Sequence, residues 1–117
     1  MMKFSLALIF FQVIWFQHLH AAEFTLEYYP QKVVMNAPSP KKKDKTDTVI
    51  IENKLMSTLI IQIIDHENII SNKSIRANQT GSIIFNRHAG KKYFIRTIQP
   101  ASELIELSHL GRKIEIP

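Results

Sequence analysis

The chain has 117 residues, with 15 Lys and Arg against 10 Asp and Glu, a formal charge of +5 and no cysteine. That length suits one domain, and 45% hydrophobic residues against 21% charged is too apolar a balance for a disordered chain. Without cysteine, disulfides, zinc–thiolate sites, iron–sulfur clusters, thiol nucleophiles and Cys-ligated blue-copper centres are excluded.

The chain opens on Met1-Met2-Lys3. An apolar run follows from Phe4 to Phe16, broken only by Ser5 and Gln12, and then a more polar exit, Gln17-His18-Leu19-His20-Ala21-Ala22. This order predicts a signal peptide over 1–22, cut after Ala21 or Ala22. The run is shorter than the roughly 18–20 residues that span a bilayer, so no transmembrane span is expected after cleavage. A lipoprotein anchor would need a cysteine. Residues 23–117 are then expected to form one periplasmic or secreted domain, and the lack of disulfides fits a bacterial periplasm better than an animal secretory route. The triplets Asn72-Lys73-Ser74 and Asn78-Gln79-Thr80 match the glycosylation sequon, which matters only in a eukaryotic host.

Beyond the leader, short β-branched and apolar runs recur with turn residues between them. Strands are expected at 24–28, closed by Pro30, then at 48–52 and 55–64, briefly at 74–76, and at 81–85, 92–98, 103–107 and 112–116. Strands spaced about 8–12 residues apart without helical periodicity predict an all-β fold, a single antiparallel β-sandwich. Parallel crossovers of a dozen or more helical residues have no room. At 102–111 the residues allow a short helix capped by Ser102 and ended by Gly111, but a hairpin with a glycine-closed turn is preferred.

Residues 36–47 contain Pro38, Pro40 and the run Lys41-Lys42-Lys43-Asp44-Lys45 and read as an exposed loop. Charge runs are usually solvated tips. The functional alternative gives Lys41, Lys42 and Lys43 an anionic surface or acidic partner. Without aromatic interleaving, no nucleic-acid platform is expected. In Leu59-Ile60-Ile61-Gln62-Ile63-Ile64, period two puts Leu59, Ile61 and Ile63 on one face and Ile60, Gln62 and Ile64 on the other. A sandwich strand normally shows water a polar face. Three explanations stand: a bulge resets the register, a loop covers the outer face, or Ile60, Gln62 and Ile64 meet a partner protein.

The histidines beyond the leader, His66, His88 and His109, form no spaced ligand motif. His88 and His109 both fall in expected turns, where folding could pair them as ligands for copper, zinc or nickel, with Met35 or Met56 as soft donors. Solvated loop histidines are the plainer reading, and no cofactor is expected. Asp65-His66-Glu67 sets an imidazole between two carboxylates, but in a turn this reads as a surface cluster. No nucleophile elbow, zinc-protease helix or phosphate loop occurs, so the chain is expected to be a non-enzyme.

Several stretches carry a family likeness. They are Thr48-Val49-Ile50-Ile51-Glu52-Asn53; Ser74 through Phe85, with its Gln79-Thr80-Gly81 turn; Ala89-Gly90-Lys91-Lys92-Tyr93-Phe94; and His109-Leu110-Gly111-Arg112-Lys113-Ile114-Glu115-Ile116. Over residues 48–116 this order resembles cupredoxin-like domains of exported bacterial proteins. The resemblance implies an exported sandwich scaffold, cupredoxin-like or more broadly immunoglobulin-like. It departs at the metal site. Thr97 stands where such domains supply cysteine, Thr58 and Leu59 where a histidine is expected, and Leu110 in place of the axial methionine, while His109 matches the later histidine. A type 1 copper site is therefore not expected. The function expected is an exported, non-catalytic binding or accessory module for an envelope or secreted partner. The alternative is a periplasmic protein binding copper or another transition metal at a non-blue His/Met site, with His88, His109 and Met56 as candidate ligands.

Overall fold

The computed structural model describes residues 22–40, 46–66, 68–102 and 104–117. Their strands are β1 (Ala22–Tyr29), β2 (Lys32–Asn36), β3 (Thr46–Asn53), β4 (Leu59–Asp65), β5 (Asn68–Ile75), β6 (Thr80–Asn86), β7 (Tyr93–Gln99), β8 (Ile105–Glu106) and β9 (Lys113–Ile116). They form a five-stranded sheet in the order β6-β3-β1-β2-β9 and a four-stranded sheet in the order β5-β4-β7-β8. Alternation drives the architecture. Phe24, Leu26 and Tyr28 of β1, Val49 and Ile51 of β3, Leu59, Ile61 and Ile63 of β4, and Tyr93 and Ile95 of β7 all point into one core, as one buried face per sheet requires. The fold is the expected all-β sandwich, with no helix among the described residues.

Four local features differ from the sequence expectation. First, β1 and β3 pair in parallel. The connection over 30–45 contains β2, which returns along the far side of β1, and is long enough for a parallel crossover. Second, β2 itself was not apparent, because Val34 and Met35 are both buried and so break period two. Third, β5 runs over the full Asn68–Ile75, although most of its residues are exposed; an edge strand needs little apolar pattern. Fourth, the region 102–111 forms neither a helix nor a hairpin. β8 pairs with β7 and β9 with β2, so the chain changes sheets there. Its backbone bonds go elsewhere: Leu107 N–H donates to Tyr93 O (2.8 Å) and Gly111 N–H to Pro38 O (2.9 Å).

The ambiguous strand β4 is paired irregularly with its neighbour on each side. Its register shifts against β7 between Ile60 and Ile61, and against β5 between Ile63 and Ile64. Ile64 is only 6% exposed, although it is not part of the core cluster. The outward row of Ile60, Gln62 and Ile64 is therefore not an open apolar face. Ile64 offers a partner almost no surface, and Gln62 Oε1 accepts from Arg96 Nε–H at 3.0 Å.

The two sheets close on each other through β3. Its inward row reads Asp47, Val49, Ile51, Asn53, all buried, so polar side chains bracket the apolar pair. Asn53 Nδ2 donates to Ser57 O (2.9 Å), Ile75 O (2.9 Å) and Arg76 O (3.1 Å), and Oδ1 accepts from Leu55 N–H (2.9 Å). Two N–H groups serving three carbonyls means one is shared. One amide thus ties the end of β3 to the following connection and to the end of β5 in the opposite sheet.

Close approach of the two edge strands depends on Gly81. A Cβ there would lie 2.9 Å from Ile75 Cδ1 and Cγ1. Gly81→Ala should cost about 1 kcal/mol of stability by overpacking. The cost should be smaller in an Ile75→Val background, which lacks that Cδ1. Chemical denaturation of the double-mutant cycle measures the difference.

Candidate functional site

Three places concentrate polar groups or open surface. The first is the end of the sandwich where β3 begins. Asp47 is fully buried, its carboxylate accepting from Arg87 Nε–H. His109 Nε2 lies 3.1 Å from both carboxylate oxygens, so the ring carries its proton on Nε2. Arg87 Nη2 also donates to Leu107 O at 2.7 Å, and the guanidinium lies over the Tyr93 ring at 4.8 Å. The His109 ring packs on Phe24, with centroids 5.5 Å apart. Burying a carboxylate costs several kcal/mol unless charge and hydrogen bonds compensate, and here the segment after β6 and the connection before β9 supply both. These bonds hold the loops of this end in place.

The second place is the opposite end, beside Asn53. A cleft of about 300 Å³ opens there between the β1–β2 turn, the connection after β3, the connection after β7 and the end of β9. Its walls include Tyr28, Leu55, Leu59, Thr97, Pro100 and Ile116. Thr97, at the position the family resemblance assigns to a thiolate, is 3% exposed and its hydroxyl donates to Pro100 O. Burial pushes the Tyr28 phenol up from its ordinary value. Outside the cleft's interior, Tyr29 is also raised, by its hydrogen bond to Glu27 Oε2 (2.7 Å) and then by slight desolvation and nearby carboxylate charge.

The third place is the open flank. β5 and β6 are the edges of their sheets, each hydrogen-bonded on one side only. Between them runs a groove of about 550 Å³ lined by Lys73, Arg76, Gln79, Thr80 and Ser82, among others, with no carboxylate side chain among the described residues of its walls. Among the described residues, neither Lys73 nor Arg76 has an ion-pair partner.

The residues singled out from sequence are distributed as follows. His88 and His109 come to the same end. His88 is exposed, its backbone N–H donating to the Tyr93 hydroxyl at 2.8 Å, whereas the His109 ring is committed to Asp47. Among the described residues no three His, Cys, Asp or Glu side chains gather as a metal site. Met56 is 96% exposed and Met35 is buried in the core. Asp65 is buried and 3.5 Å from Lys91 Nζ, while His66 is an exposed turn residue at φ 45. Glu67, Lys41, Lys42, Lys43 and residues 1–21 of the leader expected over 1–22 lie outside the described residues, while Ala22 is the buried first residue of β1. Sequence reading missed Asp47, Arg87, Tyr28, Lys73 and Arg76 as a set. For Asp47 a signal was present, since it stands in phase with Val49, Ile51 and Asn53 and so on the buried face. For the cleft and the groove there was none, because each joins residues from distant strands. The chain matches no family model, no curated protein and no solved structure.

Two outcomes test this geometry. Asp47→Ala leaves Arg87 uncompensated and should cost about 3 kcal/mol, against about 1 kcal/mol for His109→Phe, read by urea unfolding. For Tyr28, the folded state holds its proton more tightly than the unfolded chain, whose tyrosine ionises near 10.0. Stability should therefore stay level below that pH and fall as pH rises above it. Unfolding curves in alkaline buffers should show the fall in the wild type and a much smaller one in Tyr28→Phe.

Proposed function

We propose that the protein is an exported, non-catalytic binding module that receives an extended acidic segment of an envelope partner along the β5–β6 flank. The edge strands carry the reading. Sandwich edges are normally blunted by charge, proline or short length, because free backbone donors and acceptors template another strand. Here β5 and β6 have eight and seven residues, and Lys73 is their sole charged side chain. Ile84 is 68% and Ile69 50% exposed on these same strands. Strand addition gives main-chain affinity, and side-chain pockets or charges give selectivity. Lys73 and Arg76, without counter-ions in the groove, select carboxylates.

The likeness to cupredoxin-like domains belongs with this proposal. The paired sheets, Asn53 at the end of β3 and the Gly111-to-Ile116 closing segment support such a scaffold, and Thr97 in place of a thiolate turns it away from blue-copper electron transfer. The predicted leader supports the exported setting.

An eight-residue alternating Glu–Val peptide tests the flank, with a Lys–Val peptide as control. The acidic peptide should bind and slow amide exchange along β5 and β6. Lys73→Glu combined with Arg76→Glu should weaken it by about tenfold or more without altering the melting temperature. Equal binding of both peptides, or unchanged exchange on both edges, sinks the proposal.

A further inference from the structure

Tyr28 has a group for which the fold provides no use. The side chain is 4% exposed, and its hydroxyl is a buried polar atom without a hydrogen-bond partner among the described residues. Leaving such a hydroxyl unpaired is unfavourable, and a phenylalanine would fill the same space without that penalty. Several other polar groups of the neighbouring cleft are occupied. The Thr97 hydroxyl donates to Pro100 O, Thr97 N–H donates to Ser102 Oγ at 3.1 Å, and Lys32 pairs with Glu115 at 3.5 Å. Tyr28 is itself a wall residue of this cleft. Much of the remaining wall is apolar, with Val33, Leu55, Leu59, Pro100 and Ile116. A volume of about 300 Å³ lies at the small end of the range for small-molecule sites, which pair an apolar lining with a few placed polar groups.

We propose that this cleft binds a small, neutral, largely apolar molecule with one hydrogen-bond acceptor, which takes the proton of the Tyr28 hydroxyl. Burial keeps the phenol protonated, so it donates and the ligand must accept. A charged ligand is disfavoured, because among the described residues Lys32 is the wall's sole cationic side chain and already has a carboxylate partner, and a lone charge against largely apolar walls is costly. The site is independent of the β5–β6 flank, which lies on different strands.

Side-chain methyl NMR of the purified protein tests this with three neutral acceptors (acetophenone, cyclohexanone and benzamide) and with ethylbenzene as the isostere of acetophenone that lacks the oxygen. At least one acceptor should shift the Val33, Leu55 and Leu59 methyls saturably below about 10 mM, and acetophenone should bind about fivefold tighter than ethylbenzene. Tyr28→Phe removes one oxygen and should keep the wild-type spectrum elsewhere. In that variant acetophenone should fall to the affinity of ethylbenzene, whose own binding should be unchanged. If no acceptor shifts these methyls, or if acetophenone binds wild type and Tyr28→Phe equally, the proposal fails. Equal binding of acetophenone and ethylbenzene to the wild type overturns it as well and leaves the hydroxyl to a buried water.

Discussion

The inward row of β3 sets the terms for the rest of the molecule. Val49 and Ile51 contribute to an apolar layer that would tolerate many arrangements, because hydrophobic burial is non-directional. Asp47 and Asn53, at the two ends of the same row, tolerate few. A buried carboxylate must be met by Arg87 and His109, and a buried amide must find its carbonyls at Ser57, Ile75 and Arg76. A cysteine-free chain thus obtains at each end of its sandwich the fixed distances that a disulfide would otherwise impose.

Those two anchors have different consequences. At the Asp47 end the cluster is closed: Arg87 spans the carboxylate and Leu107 O while lying over Tyr93, and the loops are held tightly together. At the Asn53 end the amide binds the strand termini, but the connections around them stand apart and leave a cleft with an unsatisfied phenol in its wall. Structural closure at one end and unspent hydrogen-bonding capacity at the other make the second end the better place for a ligand.

The flank follows from topology. Because β5 and β6 are consecutive in the chain yet belong to different sheets, both edges emerge on one side. Gly81 lets Ile75 approach closely, and the groove that results collects Lys73 and Arg76. Exposed isoleucines on β5 and β6 would be an aggregation liability if this side stayed bare, which is the physical reason to assign it a partner.

Much of the fold was legible in the residues themselves. Alternation in 24–28, 48–52 and 81–85 marks strands, the turn residues mark their ends, and the absence of helical periodicity fixes the class, because side-chain period follows directly from backbone geometry. Asp47, expected in the exposed loop over 36–47, is instead buried in β3; its phase with Val49 is the signal that could have placed it. What the sequence could not state is which strands become neighbours. The parallel β1–β3 pair, the change of sheet between β8 and β9, the burial of Ile64, and the meeting of Tyr28 with Leu55, Pro100 and Ile116 in one cleft all depend on contacts between residues far apart in the chain. Local preference is blind to such contacts, since pairing energy is decided by which faces must be covered once every strand competes for the same core.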